Sequence, residues 1–279
     1  MVKRIITAIV ALCVFVPMVV FSDTWIFPVG IGICTAIGTF EIIRCIGQKR
    51  NFFLIIPLCA MSLFFPIFVR YADSFQSILT VGAILLIAAS LYVFTVAVFG
   101  NKTLNVTDAT MVLAVFIYVT AGFSSTVYIR DLSHGQYLLY LPFVAGWMTD
   151  TFAYFVGSAF GKHKLIPAVS PKKTVEGAVG GTVLGALSIL GFAFVIDLIG
   201  GETLKADYIV FAVLGVIIPI ISQIGDLIMS VIKRHYGIKD YGKFFPGHGG
   251  MLDRFDSALA ISLVMAIACT YFDFFTNVA

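Results

Sequence analysis

The sequence predicts an all-α, polytopic integral membrane protein with about nine transmembrane helices. Three observations carry that reading. The chain of 279 residues is 60% hydrophobic and only 12% charged, where soluble domains carry about 25% charged residues. Its mean hydropathy is +1.03. Its apolar runs come in lengths near 20 residues, which span a bilayer as helices because lipid leaves backbone polar groups no other partner (about 20 residues each).

The runs fall in order at 5–22, 25–43, 53–69, 78–99, 109–129, 137–160, 177–199, 208–232 and 256–276. The first follows Met1-Val2-Lys3-Arg4 and reads as a signal anchor, since no small-x-small cleavage site follows it. With the N-terminus in the cytoplasm, only Arg70, Arg130 and Lys205 of the 18 Lys and Arg fall on the far side. That asymmetry places the N-terminus in and the C-terminus out. The net charge of +3 says little beside its sidedness, and no nucleic-acid partner is expected. Five cysteines are scattered in or near apolar runs without a CxxC pair, so they read as small buried hydrophobes.

The chain reads as one membrane domain, 1–279, with two characters. Residues 1–140 are scaffold: apolar spans with short connections and one acid, Glu41, which reads as a helix-end partner of nearby Arg44. Residues 141–279 are the working half. There Asp150 lies well inside the sixth span, where a lipid-facing carboxylate would cost about 2.5–3.5 kcal/mol. It must face other helices or a wet cavity. Asp150, Tyr154, Gly157 and Gly161 share one helix face at spacings of four, three and four, and the glycines permit close approach.

The loop after it carries Ser170-Pro171-Lys172-Lys173-Thr174 and Glu176. Two adjacent ammonium groups and two hydroxyls can hold phosphate oxygens; the same lysines also suit a plain cytoplasmic loop. Ser170 or Thr174 can cap the next helix, with Glu176 in its first turn. In the eighth span, Ser222, Asp226, Ser230 and Lys233 form one polar stripe. Asp226 sits roughly 10 Å below the cytoplasmic end at 1.5 Å per residue, the depth of a cavity floor. Lys239, Asp240 and Lys243 follow, then Pro246-Gly247-His248-Gly249-Gly250, a turn with little side-chain bulk that suits backbone contact with phosphate. Asp253 and Asp256 open the ninth span. Helix capping explains one acid there comfortably. Oxygen-only carboxylates suit magnesium, which takes few protein ligands and fills its shell with phosphates and water. His248 has no neighbouring His or Cys with which to hold zinc.

The run Ser230-x-Ile232-Lys233-Arg234, then Lys239-Asp240, then Phe245-Pro246-x-His248-Gly249-Gly250-x-x-Asp253-Arg254-x-Asp256 resembles the signature of the phosphatidate cytidylyltransferases, the CDP-diacylglycerol synthases. The upstream run Ser170 to Gly177 resembles that family too. These motifs cover the last two fifths of the chain. The resemblance implies a magnesium-dependent enzyme of phospholipid biosynthesis that converts CTP and phosphatidic acid to CDP-diacylglycerol and pyrophosphate. It implies metal ligation by Asp226 and Asp253, with Asp256 beside them and a second cation left open. Lys233 and Lys239 join these acids as candidate catalytic residues. Ser170, Lys172, Lys173, Thr174, Ser230, Arg234, His248, Gly249, Gly250 and Arg254 are candidate substrate-binding residues, with Asp150 and Tyr154 lining the cavity. It further implies a homodimer, and the lysine and arginine distribution puts the active site on the cytoplasmic face of the cell (inner) membrane.

Two other readings stay open at this point. A CTP-using polyprenol kinase would move the γ-phosphate instead of the cytidylyl group. A transporter would use Asp150 and Asp226 as ion sites, although the polar residues gather on one membrane face.

Overall fold

A computed structural model describes residues 2–48, 51–100, 104–201, 204–247 and 249–277. Lys49, Arg50 and Lys102 of the charge pattern, and His248 of the candidate site, lie outside these, and the side chains of Lys3 and Arg4 are not described. The chain is mostly helical. Its elements are α1 (Val2–Val20), α2 (Ile26–Cys45), α3 (Phe52–Arg70), α4 (Phe75–Phe99), α5 (Val106–Asp131), α6 (Gly135–Leu138), α7 (Leu141–Phe160), β1 (Lys164–Ile166), β2 (Ser170–Thr174), α8 (Val175–Gly200), β3 (Leu204–Ala206), α9 (Tyr208–His235), α10 (Leu252–Tyr271) and β4 (Phe275–Asn277). Among the described residues, α2, α3, α4, α5, α8 and α9 are long and apolar enough to cross a membrane.

Local chemistry sets the helix starts. Asn51 accepts from Leu54 N at 3.2 Å, Ser74 from Ser77 N at 3.2 Å, Asn105 from Asp108 N at 2.7 Å, and Asp207 from Ile209 N and Val210 N at 2.9 and 3.2 Å. Each satisfies an N–H that the first turn leaves without a partner. Thr174 does the same for α8 through Gly177 N at 3.1 Å.

The chain divides into two compact units. The first comprises Met1–Tyr128 and His235–Phe255, the second Ile129–Arg234 and Asp256–Ala279. In the first, α2 packs on α3 closely enough that a Cβ on Gly32 would strike the Leu63 carbonyl. The fourth helix buries little beyond Ala89 and Val93, leaving an apolar surface for lipid. The returning segment is tied to α5 by Tyr236 Oη, which donates to Asp108 Oδ1 at 2.9 Å. Burial, then the Asp108 carboxylate, pushes the Tyr236 hydroxyl well above its usual range, so it remains a donor.

In the second unit, Ile129, Leu141, Ile189, Phe211, Ile218, Ile261 and Met265 are fully buried in one core cluster. There α7 and α8 meet backbone to backbone. A Cβ on Gly177 would lie 2.6 Å from the Ala153 carbonyl oxygen, and one on Gly181 2.9 Å from that of Thr149. Small residues permit this approach where lipid supplies no hydrophobic drive. The eighth and ninth helices are braced by Gln223, whose Nε2 donates to Thr182 Oγ1 at 3.0 Å and the Ala178 carbonyl at 3.2 Å.

The segment expected as a plain loop after α7 is instead a small antiparallel hairpin of β1 and β2, with Lys164 opposite Thr174. Glu176 holds it from the helix side. Its carboxylate accepts from Lys162 N at 3.1 Å, and one of its oxygens lies 2.6 Å from His163 Nδ1. A second short pair joins β3 and β4. These strands are additions to the helical expectation, at connections where backbone groups need partners outside any helix.

Candidate active site

In the second unit, α9 presents the expected stripe. Ser230 lies one turn after Asp226, and its Oγ donates to Asp226 Oδ1 at 3.1 Å. The other oxygen, Oδ2, forms an ion pair at 2.6 Å with Lys173 Nζ. Strand alternation explains why Lys173 is the lysine that reaches: it lies half-buried between exposed Lys172 and buried Thr174, and neighbouring strand residues point to opposite faces. Ser222 and Lys233 of the stripe are buried.

Two more acids act on Asp226. The charges of Asp150, Asp226 and Asp256 repel one another, while Lys173 and Lys233 attract Asp226. Asp150 is exposed, and its Oδ2 receives a long 3.4 Å hydrogen bond from Ser257 Oγ. Asp256 is half-buried and accepts from Ser257 N at 2.8 Å. Three carboxylates thus share the neighbourhood of two ammonium groups. Like charges held this close repel, so the cluster would gain from an added cation. Its donors are all oxygen, the set that magnesium takes. Among the described residues, no three His, Cys, Asp or Glu side chains are already arranged around one ion position. Magnesium needs only one or two protein carboxylates, so donor type and charge both fit it.

Arg234 is exposed and bonds the Val169 carbonyl at 3.2 Å through Nε, tying the helix end to the β1–β2 connection. Ser170 is half-buried at the start of β2. Thr174 serves as the cap of α8. Tyr154 is 69% exposed, its ring against Phe155; Gly157 and Gly161 of the same predicted face lie against Thr174.

In the first unit, the glycine turn closes on itself. Phe245 N donates to the Gly249 carbonyl at 2.9 Å. Gly247 and Gly249 have φ of +82° and +92°, a region side chains disfavour. The Asp253 carboxylate reaches back through one oxygen: Oδ2 accepts from Tyr241 N at 2.8 Å and Gly250 N at 2.9 Å. Beside it lies a cavity of about 890 Å³ lined by Lys239, Asp240, Gly242, Lys243, Phe245, Pro246, Gly247, Gly249 and Arg254. Three cations against one carboxylate, with a nearly bare backbone wall, suit a phosphate-bearing ligand.

A sequence model of the cytidylyltransferase family matches residues 2–272. The chain belongs to the cytidylyltransferase family. Within it, the chain is 32% identical over 262 residues to a protein named phosphatidate cytidylyltransferase from Staphylococcus aureus strain COL, covering 92% of this chain and 95% of that one. A protein of the same name from Staphylococcus saprophyticus is 34% identical over 260 residues, with the same coverage.

Two residues were not among the candidates. Lys243 was legible as one more cation of the polar cluster, and the cavity gives it a place. Glu41 was read as a helix-end partner of Arg44. Arg44 does attract it, and its carboxylate also accepts the backbone N–H groups of Met251 and Leu252, both at 2.9 Å. A lone acid in an apolar helix was the signal; its partners, being backbone, left none.

Proposed function

We infer that the protein transfers the cytidylyl group of CTP to phosphatidate, giving CDP-diacylglycerol and pyrophosphate. The observation that carries this is the family match along almost the whole chain. The basic cavity beside the glycine turn supports the nucleotide side of it.

In this reaction a phosphate oxygen of phosphatidate bonds to the α-phosphorus of CTP. The bond from that phosphorus to the bridging oxygen breaks, and pyrophosphate leaves with the electron pair. Phosphatidate is already ionised near neutral pH, so no general base is needed. The work of the chain is to position the reactants and offset charge. Lys239, Lys243 and Arg254 are assigned to the triphosphate, against the Gly249 and Gly250 backbone. Lys172, Lys173, Ser170 and Arg234 are assigned to the remaining phosphate oxygens.

A magnesium ion is proposed on Asp226 and Asp253, with Asp256 as a third acid and a second cation allowed. The support is their place in the sequence signature and, for Asp226 and Asp256, the mutual repulsion and oxygen-only donors of their cluster. When bound, magnesium supplies charge neutralisation for the phosphates. Lys173 now occupies one Asp226 oxygen, so its ammonium is free to pass to a phosphate when a cation takes that place.

The nine-span arrangement in the cell (inner) membrane, N-terminus in and C-terminus out, with the site facing the cytoplasm, is proposed from the lysine and arginine distribution. So is a working half at 141–279 on a scaffold of 1–140 within one membrane domain. A homodimer is proposed from family resemblance. The test is an assay of purified enzyme with phosphatidate and CTP labelled at the α-phosphate, with and without magnesium. Label in the lipid that requires magnesium is expected. Label entering only from γ-labelled CTP would make the protein a kinase.

A further inference from the structure

Glu41 is the one acid of α2 and is 3% exposed. An ionised carboxylate in such surroundings is unfavourable unless its oxygens find donors. Both do, and both donors are main-chain groups 210 and 211 positions away: Oε1 takes Met251 N and Oε2 takes Leu252 N. These amides stand at the head of α10, where a helix has N–H groups without internal partners and where its dipole favours negative charge. The preceding amide, Gly250 N, goes to Asp253 Oδ2. Three successive amides are thus fixed by two carboxylates.

Room for Glu41 comes from two glycines. A Cβ on Gly242 or on Gly250 would overlap its carboxylate. The acid is therefore wedged between the strand of chain that enters the glycine turn and the one that leaves it. Gly242, Gly249 and Arg254 belong to the cavity wall.

We propose that Glu41, from the N-terminal half, is a positioning residue for cytidylyl transfer. It sets the backbone of the Gly249–Asp253 turn and, with it, the cavity's grip on the CTP phosphates. This rests on reading the cavity as the triphosphate site. The role belongs to geometry, because Glu41 does not line the cavity and acts only through the turn.

The test uses the full-length enzyme in detergent with α-labelled CTP. Glu41→Gln keeps size and polarity but offers a single acceptor oxygen to two amides. It is expected to lower kcat/KM for CTP about 10- to 100-fold, the scale of a small misplacement. KM for phosphatidate and the melting temperature should stay near wild-type. A merely structural role would lower yield or melting temperature and leave both constants of the folded enzyme unchanged; that result overturns the proposal. If Glu41→Gln does not accumulate, Gly242→Ala is measured the same way, since its methyl presses on the carboxylate without removing charge. Wild-type constants there, or failure of both variants to accumulate, also overturn it. Arg254→Ala run beside them separates the two readings. If it leaves KM for CTP unchanged while Glu41→Gln lowers kcat/KM, the cavity assignment fails, and with it the grip on the phosphates that the proposal gives to Glu41, leaving only an effect of the turn on turnover. The reverse pattern removes Glu41 and keeps the cavity.

Discussion

Asp226 and Asp253 lie 27 positions apart in one signature, yet the two units hold them by different means. Asp226 is held by side chains, an ammonium at 2.6 Å and a hydroxyl at 3.1 Å. Asp253 is held by main chain, with Tyr241 N and Gly250 N on one oxygen. Side-chain partners on rotatable stems can exchange for another cation at little cost to the fold. Backbone partners cannot leave without moving the turn they belong to. The partners of one carboxylate can thus exchange, while those of the other belong to the turn itself.

The largest effect should come from Asp226→Asn. Removing the charge strips Lys173 of its counter-ion and the cluster of its centre. Turnover should fall about 10³-fold, the scale for loss of a preorganised electrostatic group, with membrane levels and melting temperature close to wild-type. Label transfer per folded enzyme is the measurement. Activity near wild-type would remove Asp226 from the chemistry and leave a structural ion pair.

Asp253→Ala should be nearly as inactive but should also unfold earlier. It leaves two amides without an acceptor, at about 1–3 kcal/mol for each buried donor left unpaired. Asp253→Asn keeps an acceptor oxygen, so it should recover much of the melting temperature and little of the turnover. Equal melting temperatures for the Ala and Asn variants would break the contrast with Asp226.

This contrast marks where the sequence was readable. The stripe Asp226, Ser230, Lys233 follows helical spacing, and such spacing can be read directly. Each predicted span overlaps a helix, and among the described residues six of these helices are long and apolar enough to cross a membrane, because a long apolar run is a strong local signal. The hairpin at 164–174 was not readable, because four polar residues around Pro171 look like any basic loop. Glu41 is visible as a lone acid near Arg44, but its amide partners lie 210 and 211 positions on, and no residue type announces a main-chain donor.

Lys173→Gln should raise KM for a phosphate-bearing substrate about tenfold and leave kcat less affected, since an amide keeps the polar contact and loses the charge (worth about 1.4 kcal/mol per factor of ten). Because Asp226 then lacks its resident cation, the magnesium needed for half-maximal rate should fall. Steady-state titration of magnesium in both enzymes reads this. An unchanged magnesium requirement would mean that Lys173 and the metal do not compete for Asp226.

The smallest effect should belong to Lys172→Ala, and its smallness is informative. Lys172 is exposed on β2 and faces away from the side that Lys173 uses. Its contribution to an anionic ligand is therefore through solvent, where exposed charge pairs are worth about 0.2–1 kcal/mol. KM for CTP or phosphatidate should rise by about two- to fivefold on that scale, and the difference should shrink as salt is raised, since solvent-exposed charges are screened. If Lys172→Ala matched Lys173→Gln in size and resisted salt, the two lysines would be addressing one ligand from one face. The strand alternation that separates them would then not describe the enzyme with CTP bound.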